Sequence, residues 1–430
     1  RLGSAAEQVV ALEHRGRRTR WAEDKVAAGE PRRLLVAAPV VLMASLLSAC
    51  GIPFQPQPVQ TAAVEQRAQS ATSGTVRIST AVPSPEETKA IFGVPLYDRG
   101  IQPVWLEIEN SGSTRLRLAL VSLDRDYFSP MEVAWVHRKP FSKQGRKDLD
   151  AFFHGISMPR QIGPRQTRSG YVFTHLEPGT KGFNVDVFGP AREDHNFTFF
   201  VQVPGFEPDH AAVDFYKLYE AGDVRSHDAT GLHRALAELP CCTRDATGTT
   251  EGEPINVIIV AEGIEVIHAL LRARWYETTT GKLPNWIANR PHWDGRPPDA
   301  VFRKGRKKRG ERNELRLWLS PMQLGDTPVW LGQITHFPPD ILGLSFLDPD
   351  IDEARDYFLQ DMWYSQGLRS VAWVSTGQRI EFDRRKKGNA PGSDYFTDGY
   401  RLVVWLSANP VAMLETESIH WDAPPRRKKR

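Results

Sequence analysis

Residues 254–260 read Pro-Ile-Asn-Val-Ile-Ile-Val, and this uninterrupted apolar run is typical of a strand buried on both faces. A helical pattern follows, because Ile264, Ile267 and Leu271 recur at i, i+3 and i+7 up to Trp275. With the elements that come later in the chain, this stretch predicts a mixed α+β domain.

The later part of the chain supplies the rest of that domain. A short helix is predicted over Gly231–Leu239 and a longer one over 350–366. The apolar face of the longer helix consists of Ile351, Ala354, Phe358 and Met362. Strands are predicted over 314–319, 329–336, 369–374, 378–383 and 400–406. We assign residues 211–425 to this α+β domain with a mixed sheet, followed by a basic tail at 426–430.

Residues 75–210 have a different pattern, because apolar and polar residues alternate there at the period of two that half-buried strands require. Val104, Leu106 and Ile108 are one such series. Short strands separated by turn residues predict an all-β domain, an Ig-like β-sandwich. A helical insertion is expected at 147–154. The predicted fold class is therefore multidomain, an N-terminal all-β domain followed by an α+β domain.

The N-terminal region carries an export signal. Arg32 and Arg33 precede an uncharged run, 34–49, which ends in small residues directly before Cys50. A basic region, a short apolar region and a small-residue cleavage site make a secretory signal. A cysteine at that place resembles the lipobox of bacterial lipoproteins. A spanning helix, which needs about 20 apolar residues, and an ordinary cleaved signal are the alternatives.

The lipobox resemblance implies that Cys50 is lipidated and that residues 1–49 are removed, as a signal peptide preceded by a doubtful N-terminal extension. Lipoproteins kept in the inner membrane often have Asp after the cysteine, whereas this chain has Gly51. We therefore expect an outer-membrane protein that faces the periplasm. Residues 50–74 are rich in Pro, Gln, Ala, Ser and Thr, which predicts a flexible lipidated tether.

The charge balance gives no support for a nucleic-acid partner. The chain has 55 Lys+Arg and 52 Asp+Glu, of which eight basic and five acidic residues lie in 1–49. The remainder is therefore neutral, with 47 charges of each sign. A hydrophobic content of 40% is ample for packed cores.

Cys241 and Cys242 are adjacent in a chain that we expect to be exported. Their Cα atoms must lie about 3.8 Å apart, which is below the usual disulfide range of roughly 4.4–6.8 Å. We therefore favour buried free thiols, and a vicinal disulfide or a link to a partner are the alternatives. No metal ligands can be placed around them from the sequence.

Short motifs in the C-terminal region carry a family resemblance. They are Leu239–Thr243, Pro254–Val260, Leu270–Trp275, Val301–Arg303, Leu315–Trp318, Trp330–Gly332 and Asp348–Asp352. Their order is similar to that of the LssY C-terminal domain family, over roughly residues 230–425. Members often have Gly before the Trp, where this chain has Arg274. The resemblance implies no established catalytic mechanism, although some members are fused to lipid-phosphate-phosphatase-like membrane proteins.

Two clusters of titratable residues receive a structural interpretation. Asp348, Asp350 and Asp352 alternate as in an EF-hand loop, but that loop also needs Gly at its sixth position and Glu at its twelfth. Helix capping by Asp350, with Glu353 in the first turn, is the better interpretation. Glu265 and His268 form one Glu-x-x-His pair, and a di-iron site needs two, so we interpret this pair as a surface feature.

Basic runs at Arg303–Arg312, Arg384–Lys387 and Arg426–Arg430 are interpreted as solvated loops and a tail. The alternative is contact with anionic lipid head groups, since each basic residue near such a surface contributes about 1 kcal/mol.

The sequence contains no Gly-x-Ser-x-Gly elbow, Walker A loop or His-Glu-x-x-His motif. We therefore expect a lipid-anchored envelope protein that acts as a non-catalytic binding or assembly module, with no cofactor or metal. Its expected partners are the membrane, an anionic lipid or glycan and an envelope protein. The alternative is an enzyme or accessory factor acting on lipid phosphates or envelope glycans. The candidate ligand-binding residues are Arg272, Arg303, Arg316 and Asp352.

Overall fold

The computed structural model describes residues 51–55, 62–191, 193–279, 291–305, 310–339, 346–381 and 395–424. The predicted signal peptide, Cys50, the run at 384–387 and the tail at 426–430 lie outside this part of the chain. No helix in the described ranges is long and apolar enough to cross a membrane.

The first half of the chain is built mainly of antiparallel strands. Its strands are β1 (Gln69–Ser73), β2 (Val76–Ala81), β3 (Ile101–Asn110), β4 (Leu116–Ala119), β5 (Gln161–Ile162), β6 (Gln166–His175), β7 (Thr180–Phe188) and β8 (Asp194–Gln202). They form two four-stranded sheets, in the orders β1-β2-β3-β6 and β5-β4-β7-β8. Val104 and Leu106 of β3 share one core with Val185 of β7. The alternation of apolar residues therefore predicts this β-rich half correctly.

Four of the described helices cover the other face of the first sheet: α1 (Ala62–Gln66), α2 (Pro85–Phe92), α4 (Pro130–His137) and α5 (Lys143–Ile156). A short helix, α3 (Leu120–Leu123), instead contacts β7 and contributes Leu123 to the core between the two sheets. Ser129 and Glu132 form a capping box at the start of α4, and Ser142 caps α5. Phe153 of α5 packs with Phe92 and Tyr171 in a second core. The helical insertion predicted at 147–154 is confirmed and is longer than predicted.

The predicted flexible tether is wrong for the residues described within it. Strand β1 pairs with β2, and Phe54 and Val64 are 5% and 1% exposed. Arg67 donates to both carboxylate oxygens of Glu87. The segment is polar in composition, so these few apolar residues do not stand out in the sequence. They are enough to fix the segment to the folded half, because each buried apolar side chain contributes about 1.5–3 kcal/mol.

The second half contains a nine-stranded mixed sheet. Its strands are β9 (Arg225–His227), β12 (Val257–Val260), β13 (Tyr276–Glu277), β14 (Ala300–Gly305), β15 (Arg312–Leu324), β16 (Thr327–Phe337), β17 (Leu368–Ser375), β18 (Tyr400–Leu406) and β19 (Glu417–Ser418). A separate hairpin consists of β10 (Cys242–Arg244) and β11 (Glu251–Pro254). Strand β12 is parallel to β18 and antiparallel to β16, and all four of its residues are buried. The predicted central strand and mixed α+β sheet are confirmed.

Helices α6 (Ala229–Glu238), α7 (Gly263–Arg272) and α8 (Ile351–Tyr364) pack on this sheet. Helix α6 contributes to the core on one face, and α7 and α8 contribute to the core on the other. The apolar face predicted for α8 is confirmed, because Ile351, Ala354, Phe358 and Met362 are all buried.

Two local predictions are wrong and one is partly correct. Of the residues predicted for the apolar face of α7, Leu271 is buried and Ile267 packs against the core, but Ile264 is 57% exposed. Val266, Ala269 and Leu270 complete the buried face. The strand predicted at 378–383 is absent from its described residues, 378–381, where Ile380 forms only an isolated bridge. His268 does not pair with Glu265 but stacks on Phe200 of β8, with ring centroids 3.8 Å apart.

Polar contacts also join the two halves, which belong to one compact unit, residues 52–430. Glu277 is 2% exposed and accepts a hydrogen bond from the backbone N–H of Thr180 at 2.7 Å. His210 Nε2 lies 2.6 Å from the second oxygen of Glu277. Burial alone would raise the pKa of Glu277, but these hydrogen bonds outweigh it and hold the pKa below the ordinary value.

Candidate functional site

Glu314 forms ion pairs with three arginines on one face of the large sheet. Arg303 lies directly across from it on β14 and donates from Nε to Oε2 at 2.6 Å. Arg316 lies two residues along β15 and donates to Oε1. Arg312 Nε is 3.7 Å from Oε2. Residues two apart on a strand project on the same side, so the alternation of charges at 312, 314 and 316 builds the cluster.

The neighbouring strand β16 extends this arginine cluster, which we define as Arg303, Arg312, Glu314 and Arg316. Gln333 lies opposite Arg316 and accepts a hydrogen bond from its Nη1 at 2.9 Å. Thr335 lies opposite Glu314 and is 1% exposed. The hydroxyl of Thr335 has no hydrogen-bond partner within the described ranges. A buried polar group without a hydrogen-bond partner is uncommon, because it destabilises the folded state.

The cluster carries excess positive charge. Burial alone would raise the pKa of Glu314, but Arg316 and Arg303 outweigh it and lower that pKa to about 2. Glu314 is therefore ionised at neutral pH and cancels one of three guanidinium charges. The Arg303, Arg312 and Arg316 side chains are 30%, 24% and 15% exposed. Guanidinium groups at a partly open site are suited to bidentate binding of a phosphate or carboxylate.

The four predicted ligand-binding residues do not share one set of contacts. Arg303 and Arg316 meet on Glu314. Arg272, at the end of α7, instead donates to the backbone carbonyls of Ser407 and Ala408. Asp352 is 4% exposed and accepts hydrogen bonds from Thr397 and from the backbone N–H of Asp398.

Asp352 belongs to a buried ionic network centred on Arg355. Arg355 is 1% exposed and lies 3.2 Å from Asp352 and 2.8 Å from Asp398. Burial raises the pKa of Asp352 despite the nearby Arg355. Asp350 does occupy the N-cap position of α8, but its side chain makes no capping hydrogen bond, so the predicted cap is only partly correct.

The basic run at 303–312 is not simply a solvated loop. Arg303 lies in β14 and Arg312 in β15, while 306–309 fall outside the described residues. The sequence reasoning missed Glu314, Gln333 and Thr335. Two signals were present: a charged residue at every second position from 312 to 316, and polar residues at 333 and 335 on either side of apolar Ile334.

Cys241 and Cys242 are joined by a disulfide, so the preference for free thiols was wrong. The Glu251 carboxylate lies within 4.8 Å of both sulfurs, which makes this trio a group with metal-ligand chemistry. A disulfide lacks the thiolates that a metal binds, so the trio could hold an ion only after reduction.

Two surface grooves lie on the first half of the chain. The larger, about 430 Å³, is lined by Trp105, Phe152 and Tyr171 among others. The smaller, about 240 Å³, is lined by Arg115, Arg117 and Phe188 among others. None of the four predicted ligand-binding residues lines either groove.

Residues 236–400 match the model of the LssY C-terminus family. This match confirms the predicted resemblance of the C-terminal region and covers less than half of the chain. The arginine cluster and strands β10 to β17 lie inside the matched range. No curated protein matches the chain.

Arg274 makes a polar contact between the two halves from an uncommon backbone conformation. Its φ is 60°, in the left-handed region that favours glycine. Its guanidinium lies 3.2 Å from Glu177 in the first half of the chain. In this protein the position therefore supplies a contact between halves that glycine could not make.

Proposed function

We propose that this protein is a lipid-anchored cell-envelope protein, at the outer membrane facing the periplasm, and that it is a binding module without catalysis. Its LssY-like domain would bind an anionic group of a lipid or glycan at the arginine cluster, and the first half would be an Ig-like β-sandwich scaffold. The observation that carries the binding proposal is the gathering of three guanidinium groups around one buried carboxylate.

The chemistry of the cluster favours binding over catalysis. A general base works best with a pKa near the operating pH. Three arginines hold Glu314 fully ionised with a pKa of about 2, so it is a weak proton acceptor. Gln333 beside Arg316 is buried and donates from its amide to Thr243 and to the carbonyl of Glu253. Neither this amide nor the buried hydroxyl of Thr335 is a general base.

An enzyme or accessory factor acting on lipid phosphates or envelope glycans is the second candidate. The same arginines support it, because an enzyme of that class also needs cations at the phosphate. Fusion of related domains to phosphatase-like proteins supports it only by association. Turnover of a lipid phosphate that is lost in Arg303→Gln would favour this candidate over the binding module.

The anchor is tested by fractionation of cells that express the full chain. Cys50→Ala removes the acylated thiol, and we expect the variant to leave the membrane fraction. Gly51→Asp keeps the cysteine but introduces the residue typical of inner-membrane lipoproteins, so we expect a shift from outer to inner membrane. Sedimentation of Cys50→Ala with membranes would contradict the lipid anchor.

Thermal unfolding of the full chain in detergent tests the ligand class. Short-chain phosphatidic acid, anionic glycan fragments and divalent metal ions are the three probes. A ligand at 100 times its Kd adds about 2.7 kcal/mol to the free energy of unfolding, which raises Tm by several degrees. We expect an anionic probe to raise the Tm of wild type and of Arg369→Gln. Arg369 is the control because its side chain is 59% exposed and lies near Glu265, which is not part of the arginine cluster. In Arg303→Gln we expect no rise in Tm. If none of the anionic probes raises the Tm of the wild type, the proposal is contradicted.

A further inference from the structure

The first described residues of the chain are fixed to the connection between α4 and α5. The backbone N–H of Ile52 donates to the carbonyl of Pro140 at 3.1 Å, and the N–H of Ser142 donates to the carbonyl of Ile52 at 2.9 Å. Phe54 is buried, with its ring centroid 5.3 Å from that of Phe141. The chain therefore leaves the folded half at this connection.

The proposed lipid site is close to this point. Cys50 is two residues before Ile52, and consecutive Cα atoms are about 3.8 Å apart, so the two Cα atoms are separated by at most about 7.6 Å. A flexible tether would hold the folded half some distance from the bilayer. A chain fixed at Ile52 instead brings the α4–α5 connection to the membrane surface.

Helix α4 exposes large apolar side chains beside this connection. Met131 and Trp135 are four residues apart, so they share one face of the helix, and they are 51% and 67% exposed. Val136 and Ile52 are 41% and 57% exposed. A Trp this exposed is unusual in water but is common at the membrane interface, where its ring is half in the apolar layer.

Basic residues surround the apolar ones. Residues 130–147 contain five Lys+Arg and one acidic residue, Glu132, although the chain outside 1–49 is neutral. The guanidinium of Arg138 lies 4.1 Å from the centre of the Trp135 ring. Lys139 and Lys143 are exposed, and in the sequence they flank Pro140 and Ser142, the residues that are hydrogen-bonded to Ile52. This combination of Trp, Met and cations is suited to anionic phospholipid head groups.

We propose that residues 130–147, together with Ile52, form a membrane-docking face that lies on the anionic phospholipid surface to which Cys50 is anchored. The proposal rests on the proposed lipid anchor. Trp135 and Met131 enter the interfacial layer, and Lys139 and Lys143 contact lipid phosphates. The anchor and this face together fix the orientation of the folded half on the membrane, which one flexible tether could not do.

Quenching of tryptophan emission by brominated acyl chains tests this face. The full chain, processed in a Gram-negative host, is reconstituted in vesicles of phosphatidylethanolamine and brominated phosphatidylglycerol. Three proteins are compared: wild type, Trp135→Phe and Trp363→Phe. Trp363 is the matched control because it is 43% exposed on the LssY-like half. We expect Trp135→Phe to lose most of the quenching and Trp363→Phe to keep it.

The outcomes separate the docking face from the anchor. Equal quenching in all three proteins overturns the docking face, even when the protein sediments with the vesicles. If the N-terminal peptide carries no acyl chains, the lipid anchor alone is contradicted. The docking face can still be tested on that protein, by adding excess anionic vesicles and measuring whether Trp135 is quenched. If quenching is absent and a dimer can be crosslinked through α4, the docking face is overturned, and the same surface instead binds a second copy of the chain.

Discussion

Replacement of Glu314 by Gln tests the electrostatic account of the arginine cluster. The variant keeps the shape of the side chain but removes the charge that Arg303 and Arg316 contact. The Glu314 side chain is only 6% exposed, so solvent screens these contacts weakly. The variant should therefore be clearly less stable at neutral pH.

The magnitude follows from the pKa of Glu314, which is lowered from 4.5 to about 2. One pKa unit corresponds to about 1.36 kcal/mol, so the ionised carboxylate stabilises the fold by about 3 kcal/mol at pH 7. Because the folded pKa is the lower one, this contribution is present above pH 4.5 and is lost as the pH falls towards 2. At pH 3 about 1 kcal/mol remains.

Chemical denaturation at pH 7 and at pH 3 measures this difference. We expect Glu314→Gln to be about 3 kcal/mol less stable than wild type at pH 7 and about 1 kcal/mol less stable at pH 3. Glu381→Gln is the matched control, because its carboxylate is 79% exposed, and it should follow wild type at both pH values. A gap between wild type and Glu314→Gln that does not change with pH would refute the reasoning.

Three further predictions concern the fold. Arg401→Met should cost about 3 kcal/mol or more in denaturation experiments, because four carbonyl oxygens, two of them in buried hydrogen bonds, lose their donor. Gly170→Ala should cost about 1–3 kcal/mol, since the new Cβ would lie 2.7 Å from backbone atoms of Met158. Gly155→Ala in α5 has no atom within 4 Å of the new Cβ and should stabilise the fold by about 0.5–1 kcal/mol. Mass spectrometry should find alkylation of Cys241–Cys242 only after reduction; alkylation without reductant would contradict the disulfide.

Local patterns were enough to predict the elements with strong periodicity. Strand β12 is apolar at every position and helix α8 has apolar residues at helical spacing, and both are where the sequence predicted them. The face of helix α7 was predicted only in part, because its apolar residues extend around much of the helix and the periodicity alone does not select one side. The strand prediction at 378–383 was wrong for a related reason, since a short alternation needs a partner strand to form.

Long-range pairing decided what the sequence could not. Arg303 and Arg316 were predicted as ligand residues, but only the register of β14, β15 and β16 shows that they meet on Glu314. Asp352 was predicted as a ligand-binding residue, but tertiary packing buries it beside Arg355. Phe54 likewise lies within a polar segment whose composition resembles a tether, and Phe141, on which its ring packs, comes about 90 positions later in the chain.

Calorimetric titration with short-chain phosphatidic acid tests the central claim most directly. Full-chain wild type and Arg369→Gln should bind with the same Kd, and Arg303→Gln should bind about 10–100-fold more weakly, since a charge-assisted hydrogen bond contributes about 1.5–3 kcal/mol. Glu314→Gln should bind more tightly than wild type, because the ligand no longer competes with an internal carboxylate. Equal affinity in wild type and Arg303→Gln would contradict an anion site at the arginine cluster.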